Sequence, residues 1–91
     1  MANLTERVRQ RVERDFGDSA IEVRRLIDAW EILGEEPSER LVAAAVLGAR
    51  GDVSQLRAAI ELSRIDWRDL LMGSGLEHED WPDVLVAEFG T

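Results

Sequence analysis

The residues best equipped for chemistry are four aspartates set in two matching phrases. D-W-R-D-L-L-M at residues 66–72 and D-W-P-D-V-L-V at residues 80–86 place Asp66 with Asp69 and Asp80 with Asp83 around Trp67 and Trp81. Two carboxylates facing a cleft could serve as general acid and base. Their spacing favours a different use. An aspartate at a helix N-cap accepts the N–H two or three residues on. A carboxylate at the third helical position reaches back to the cap or faces the positive end of the helix dipole. Both phrases fit the positions Ncap, N1, N2 and N3, so capping is the preferred reading. D-x-x-D offers too few oxygens for calcium, and no EF-hand spacing is present.

The remaining inventory is thin. His78, in L-E-H-E-D, is the single histidine. One imidazole among carboxylates could join a metal site, but structural zinc uses more nitrogen or sulfur ligands. A solvent-exposed loop histidine is the simpler reading. Ser19, Ser38, Ser54, Ser63 and Ser74 fall at expected caps, early turns or loops, and no G-x-S-x-G is present. Cysteine, lysine and tyrosine are all missing, which leaves little for nucleophilic catalysis. G-S-G at 73–75 is better read as a helix stop than as a phosphate cradle. No catalytic, cofactor-binding or metal residue is assigned, and no cofactor is expected.

The elements that must position these groups follow from the whole chain. Its 91 residues are 45% hydrophobic and 33% charged, a globular composition with enough length for one modest core. A single domain over residues 1–91 is expected. No run of 18 apolar residues suggests a membrane span. The opening M-A-N-L-T-E-R-V-R-Q lacks the apolar stretch of a signal peptide, so a cytoplasmic location is expected. All 11 cationic residues are arginine, which codon usage in a GC-rich genome accounts for without a functional role. The net charge of −8 is uneven, since residues 73–91 hold five acids and no arginine. That acidic pole would be repelled by nucleic acid and by anionic lipid. It could attract a basic protein surface, including the arginine-rich first helix of a second copy.

Glycines punctuate a helical pattern. A first helix is predicted over about Leu4–Phe16, with Leu4, Val8, Val12 and Phe16 as a thin stripe beside Arg7, Arg11 and Arg14. Ser19 and Glu22 have the spacing of a capping box. They should start a second helix over about Ala20–Leu33, burying Val23, Leu26, Ile27, Trp30 and Leu33. Pro37 suits the first turn of a third helix, about 37–49. L-V-A-A-A-V-L at 41–47 has no polar face, the mark of a buried central helix. Asp52 and Gln55 begin a fourth, with Val53, Leu56, Ala59, Ile60 and Ser63 inward. The two aspartate phrases start a fifth over about 67–73 and a sixth over about 81–89. Ile65 and Leu70 are spaced as a hydrophobic staple over the first phrase, which should bury Trp67. Gly75, Leu76 and Leu71 fit a Schellman ending. No strand pattern competes.

E-R-L-V-A-A-A-V-L, G-D-V-S-Q-L-R-A-A-I-E-L and D-W-R-D-L-L-M-G-S-G-L, within residues 39–76, resemble segments of short uncharacterised all-helical proteins of GC-rich bacteria. The resemblance implies a helical fold and transfers no activity and no site residues.

The expected architecture is therefore all-α, a compact bundle of five or six short helices around a central apolar helix at about 37–49. The expected function is non-enzymatic protein interaction. Each tryptophan reads first as packing, and Trp81 is the preferred candidate for an interface anchor. Asp80 and Asp83 would flank it, and Arg7, Arg11 and Arg14 on the first helix form a second contact surface. The partner would be a protein, with a homodimer as one form. The alternative is a small DNA-binding regulator or antitoxin-like protein using helix 66–73. There Arg68 stands against Asp66 and Asp69, whereas recognition helices need basic or amide side chains. An acid-using enzyme centred on Asp66, Asp69 or His78 is the third reading.

Overall fold

The computed structural model describes residues 4–90. Among them the regular structure is helical, with one isolated antiparallel bridge between Ile32 and Glu35. α1 is Glu6–Phe16, α2 is Ala20–Asp28, α3 is Glu39–Ala49, α4 is Val53–Ser74 and α5 is Trp81–Phe89. A short 3-10 turn, Gly17–Ser19, joins α1 to α2.

α1 buries Val8, Val12 and Phe16, the expected stripe, and Gly17 closes it. The Ser19–Glu22 capping box does not form. The 3-10 turn delivers Ser19 at φ −89, ψ 0, outside the extended conformation a cap needs, and its side chain makes no capping bond. Glu22 pairs with Arg57 of α4 instead.

α2 stops at Asp28, well short of the expected Leu33. Trp30 remains buried, and its indole N–H donates to Ser63 Oγ on α4 at 2.9 Å. The Ser63 hydroxyl donates in turn to the Ile60 carbonyl at 2.6 Å. A buried indole N–H needs such an acceptor, and this one ties the end of α2 to α4. Beyond it, Ile32 and Glu35 exchange both backbone hydrogen bonds, at 2.8 and 3.0 Å. Leu33 and Gly34 between them both have positive φ, 54° and 80°, as a type I′ turn requires. A helix cannot hold that pair. Leu33 therefore faces solvent, 96% exposed, instead of joining the core.

α3 starts two residues later than expected, because Ser38, not the residue before Pro37, takes the extended conformation of the cap, at φ −70, ψ 162. Its N-cap is Ser38, whose Oγ accepts the Leu41 N–H at 3.3 Å. Val42 through Val46 are all buried, and α3 packs chiefly on α4, with α1 and α5 also against it. Alanines at 43–45 let these neighbours approach closely. Gly51 begins the return, at φ 83. A Cβ there would stand 2.6 Å from the Asp15 carbonyl oxygen of α1, so the link is fixed by close backbone contact. Asp52 then caps α4, accepting the Ser54 N–H at 2.8 Å.

The expected fourth and fifth helices lie end to end as α4, with a kink at Asp66 (φ −154, ψ 95). Leu56, Ile60 and Ser63 face inward before the kink, and Leu70 and Leu71 after it. Gly75 ends the helix at φ 80, and the Leu76 N–H bonds the Leu71 carbonyl at 3.1 Å. Leu76 is fully buried, completing the expected Schellman ending. α5 buries Leu85 and packs Trp81, Val84 and Phe89 partly against the same core. No helix among the described residues is long and apolar enough to cross a membrane.

Candidate functional site

The two aspartate phrases behave differently. Asp66 caps the second half of α4, accepting the Arg68 N–H at 3.0 Å. Asp80 makes no side-chain capping bond, so the expected cap fails in that copy. Two features set the copies apart. Asp66 bonds the N–H at N2, where the second phrase has Pro82 with no N–H to give, and Asp80 stands at φ −84, ψ 12, outside the extended conformation of a cap. α5 starts on backbone bonds alone, with the Asp83 and Val84 N–H groups on the Asp80 carbonyl at 2.9 and 3.2 Å.

The tryptophans also exchange their expected settings. Trp81 is half-buried, and the Arg40 guanidinium lies over its ring, 5.1 Å from the centroid. Arg40 is itself held by the Leu76 carbonyl, to which its Nε donates at 2.7 Å. Trp67 is 41% exposed and Ile65 is 84% exposed, so the Ile65–Leu70 staple does not form. Ile65 belongs to the last turn before the kink. It lies two residues past buried Ser63, roughly 200° around the helix, and so points to solvent.

The acidic pole and the arginines of α1 meet within one chain. Arg7 Nη1 donates to the Gly90 carbonyl at 2.9 Å, and Arg11 Nη1 to the Glu88 carbonyl at 2.6 Å. These carbonyls sit at the end of α5, where intrahelical partners run out and positive charge is favoured. Arg11 also lies 5.3 Å from the Phe89 ring centroid and pairs with Asp15 at 2.9 Å. Arg7 forks onto Glu39 with two bonds of 2.8 Å, and the Thr5 hydroxyl donates to the same carboxylate at 2.6 Å. The Arg7 contact holds the Glu39 carboxyl below its ordinary value, against the opposing effect of burial. Arg14 is largely exposed, 3.4 Å from Asp15. Asp80 and Asp83 are exposed.

The groups considered for acid chemistry are scattered in role. The carboxylate of Asp66 faces its own helix, Asp69 lines a shallow groove between α3 and α4, and exposed His78 lies 3.4 Å from Glu77. Among the described residues no three His, Cys, Asp or Glu side chains are grouped so as to hold a metal ion. In segment 66–73, Arg68 lies over its own neighbour Trp67, 5.5 Å from the ring centroid, between exposed Asp66 and Asp69.

What the structure brings together is an apolar patch. The 32–35 turn and the kink of α4 place Ile32, Leu33, Ile65 and Trp67 side by side. Two hollows share Ile32, Leu33 and Trp67 as a common spine. One, about 240 Å³, continues to Glu35, Glu36, Pro37 and Leu41. The other, about 290 Å³, continues to Ser63, Arg64 and Ile65. Leu33 carries two costs at one residue, a left-handed backbone worth roughly 1–2 kcal/mol and an almost fully wetted side chain. Sequence periodicity assigned Leu33 to the core, because it continues the stripe of α2. The signal that could have corrected it is Leu33-Gly34 followed by Glu-Glu-Pro, a turn before a helix stop.

Comparison with family models, with curated proteins and with solved structures finds no match for the chain.

Proposed function

We propose that this chain is a non-enzymatic protein-interaction module that docks through the patch of Leu33, Ile65 and Trp67. The observation that carries the reading is the exposure of Leu33 in a strained turn beside an exposed tryptophan. Covering a wetted Leu or Ile side chain contributes roughly 1.5–3 kcal/mol, and tryptophan is the residue type most enriched at binding hot spots. A contiguous apolar patch with charged flanks is the usual mark of an interaction surface. The fitting partner is a protein face with apolar side chains for the spine and opposite charges for the two flanks.

The acidic face of Asp80, Asp83 and Trp81 supports this role less well. Arg40 covers the Trp81 ring, and Arg7 and Arg11 are already engaged with the end of α5. Both surfaces can be tested together. A photoreactive amino acid is placed at Leu33 or at Glu79, and crosslinked polypeptides are identified by mass. Capture from position 33 that disappears with Trp67→Ala is the expected result. Capture only from position 79 would move the docking surface to the acidic pole.

A further inference from the structure

We infer that the occupant of the patch is a short basic segment of another protein, with apolar side chains set among lysines or arginines. The inference rests on the docking reading above and names the partner's chemistry. Its basis is the charge around the spine. Residues 31–38 and 61–68 carry Glu31, Glu35, Glu36, Glu61 and Asp66 against Arg64 and Arg68, five acids to two arginines, all exposed. Glu36 has a partner of its own, and without it the face is still negative, with four acids to two arginines. Arg64 lines one hollow but lies 3.1 Å from Glu61, so its charge is matched within the chain. Glu35 lines the other hollow, and Glu31 directly precedes the spine in sequence. A second copy would set the same excess of acid against itself. Anionic lipid and nucleic acid are repelled for the same reason. A cationic segment gains from that field, in rate of encounter and in orientation.

Size and backbone point the same way. Segments 31–38 and 61–68, eight residues each, fall short of the roughly 20–30 residues per side of a standard interface. The patch therefore suits a peptide-sized segment better than a folded surface. Two hollows on either side of one spine suit two apolar side chains of a single segment. Leu33 is also a residue that folding alone would not choose. It holds the first left-handed position of the turn, ahead of Gly34, where a type I′ turn favours asparagine. Leucine there costs the fold and supplies an anchor for the segment.

The test selects binders of the purified full chain from a random peptide library displayed on phage. Enriched peptides should carry net positive charge and at least one large apolar residue. A selected peptide, followed by fluorescence anisotropy, should bind with dissociation on the order of 10–100 µM, and severalfold more weakly as salt rises from about 50 to about 500 mM. Leu33→Asn should weaken it about tenfold or more, the loss of one covered leucine. The thermal midpoint of that variant should equal or exceed the wild-type value, because asparagine suits the turn. Glu35→Arg should weaken binding severalfold and reduce its dependence on salt. The acidic residues of 73–91 also attract cations, so Leu33→Asn is the deciding control: binding of the selected peptides that survives it belongs to that pole and overturns the inference. Enrichment of acidic or uncharged peptides that need Leu33 overturns the basic partner and leaves the docking reading standing. A wild-type dimer in sedimentation that Leu33→Asn dissociates puts a second copy in the patch and overturns the inference as well. A library with no binder that needs Leu33 overturns it too, and crosslinking from position 33 then decides whether the docking reading survives.

Discussion

The two Asp-Trp-x-Asp segments share four positions and an apolar tail, yet the fold uses them in opposite ways. In the first, the aspartate caps a helix and the tryptophan stands half in solvent beside Leu33. In the second, the aspartate side chain caps no N–H of its helix and the tryptophan is covered by Arg40. Two differences decide this. Arg68 supplies the N–H that Asp66 accepts, and Pro82 cannot supply one to Asp80. The first segment also continues a helix already running, so the direction of Ile65 is set by the turn behind it. The second follows the Gly75–Leu76 stop and starts from a free turn. A capping motif states what a carboxylate can do; the residue two positions on states whether it does.

The largest test of this contrast is the pair of tryptophans. Trp81→Ala removes a side chain packed on the core and held under Arg40, and should cost about 2–3 kcal/mol in urea unfolding. Trp67→Ala should cost about 1 kcal/mol or less. Equal losses would mean that the two rings share one kind of environment. The aspartates come next. Asp66→Ala loses a formed cap and should cost about 1 kcal/mol. Asp80→Ala should lie within about 0.5 kcal/mol of wild type, as for an exposed residue with no capping bond.

Much of the fold was legible in the sequence. Local patterns carried the stripe of α1, the apolar α3, the inner face of α4 and the Schellman ending at Gly75. Each depends on residues within one or two turns of one another. The misplacements arose where a local pattern met a competing one. Leu33 continued a helical stripe, but Gly34 and Pro37 imposed a turn and a stop. Ile65 had the spacing of a staple, but the preceding helix had already aimed it outward. The all-helical class therefore survived, while the exposed apolar patch, to which the two residues whose patterns lost contribute beside Trp67, was not visible. The arginines of α1 were read as a face for a second molecule. Their meeting with the end of α5 is a long-range contact that no local spacing records.

Acid separates the two segments further. Glu39, through Arg7, belongs to the ion-pair cluster that holds the end of α5. Its carboxyl is lowered in the folded chain, chiefly by the Arg7 hydrogen bonds. The stabilisation is present above the ordinary value of 4.5, and is lost as pH falls through the lower folded value. Wild type should therefore lose more stability on acidification than Glu39→Gln, by less than the Asp66→Ala loss. Urea midpoints read it: the gap between wild type and Glu39→Gln should be present at pH 7 and smaller at pH 3, and an equal gap at both would mean that the Glu39 carboxylate contributes no pH-dependent stability.

The finest test restores the missing donor. Pro82→Ala gives α5 an N–H at N2, in the position that Arg68 occupies in the first segment. Asp80 then gains an acceptor role that it lacks in the wild type. Removing the proline also frees the unfolded chain, which offsets part of the gain, so the single variant says little. The double-mutant cycle isolates the new bond. Asp80→Ala should be near neutral with Pro82 present and should cost about 0.5–1 kcal/mol in the Pro82→Ala background. If Asp80→Ala costs the same in both backgrounds, Pro82 is not what silences that cap. The difference between the segments would then lie in the turn at Glu77–Asp80, whose backbone delivers Asp80 at φ −84, ψ 12 instead of an extended conformation.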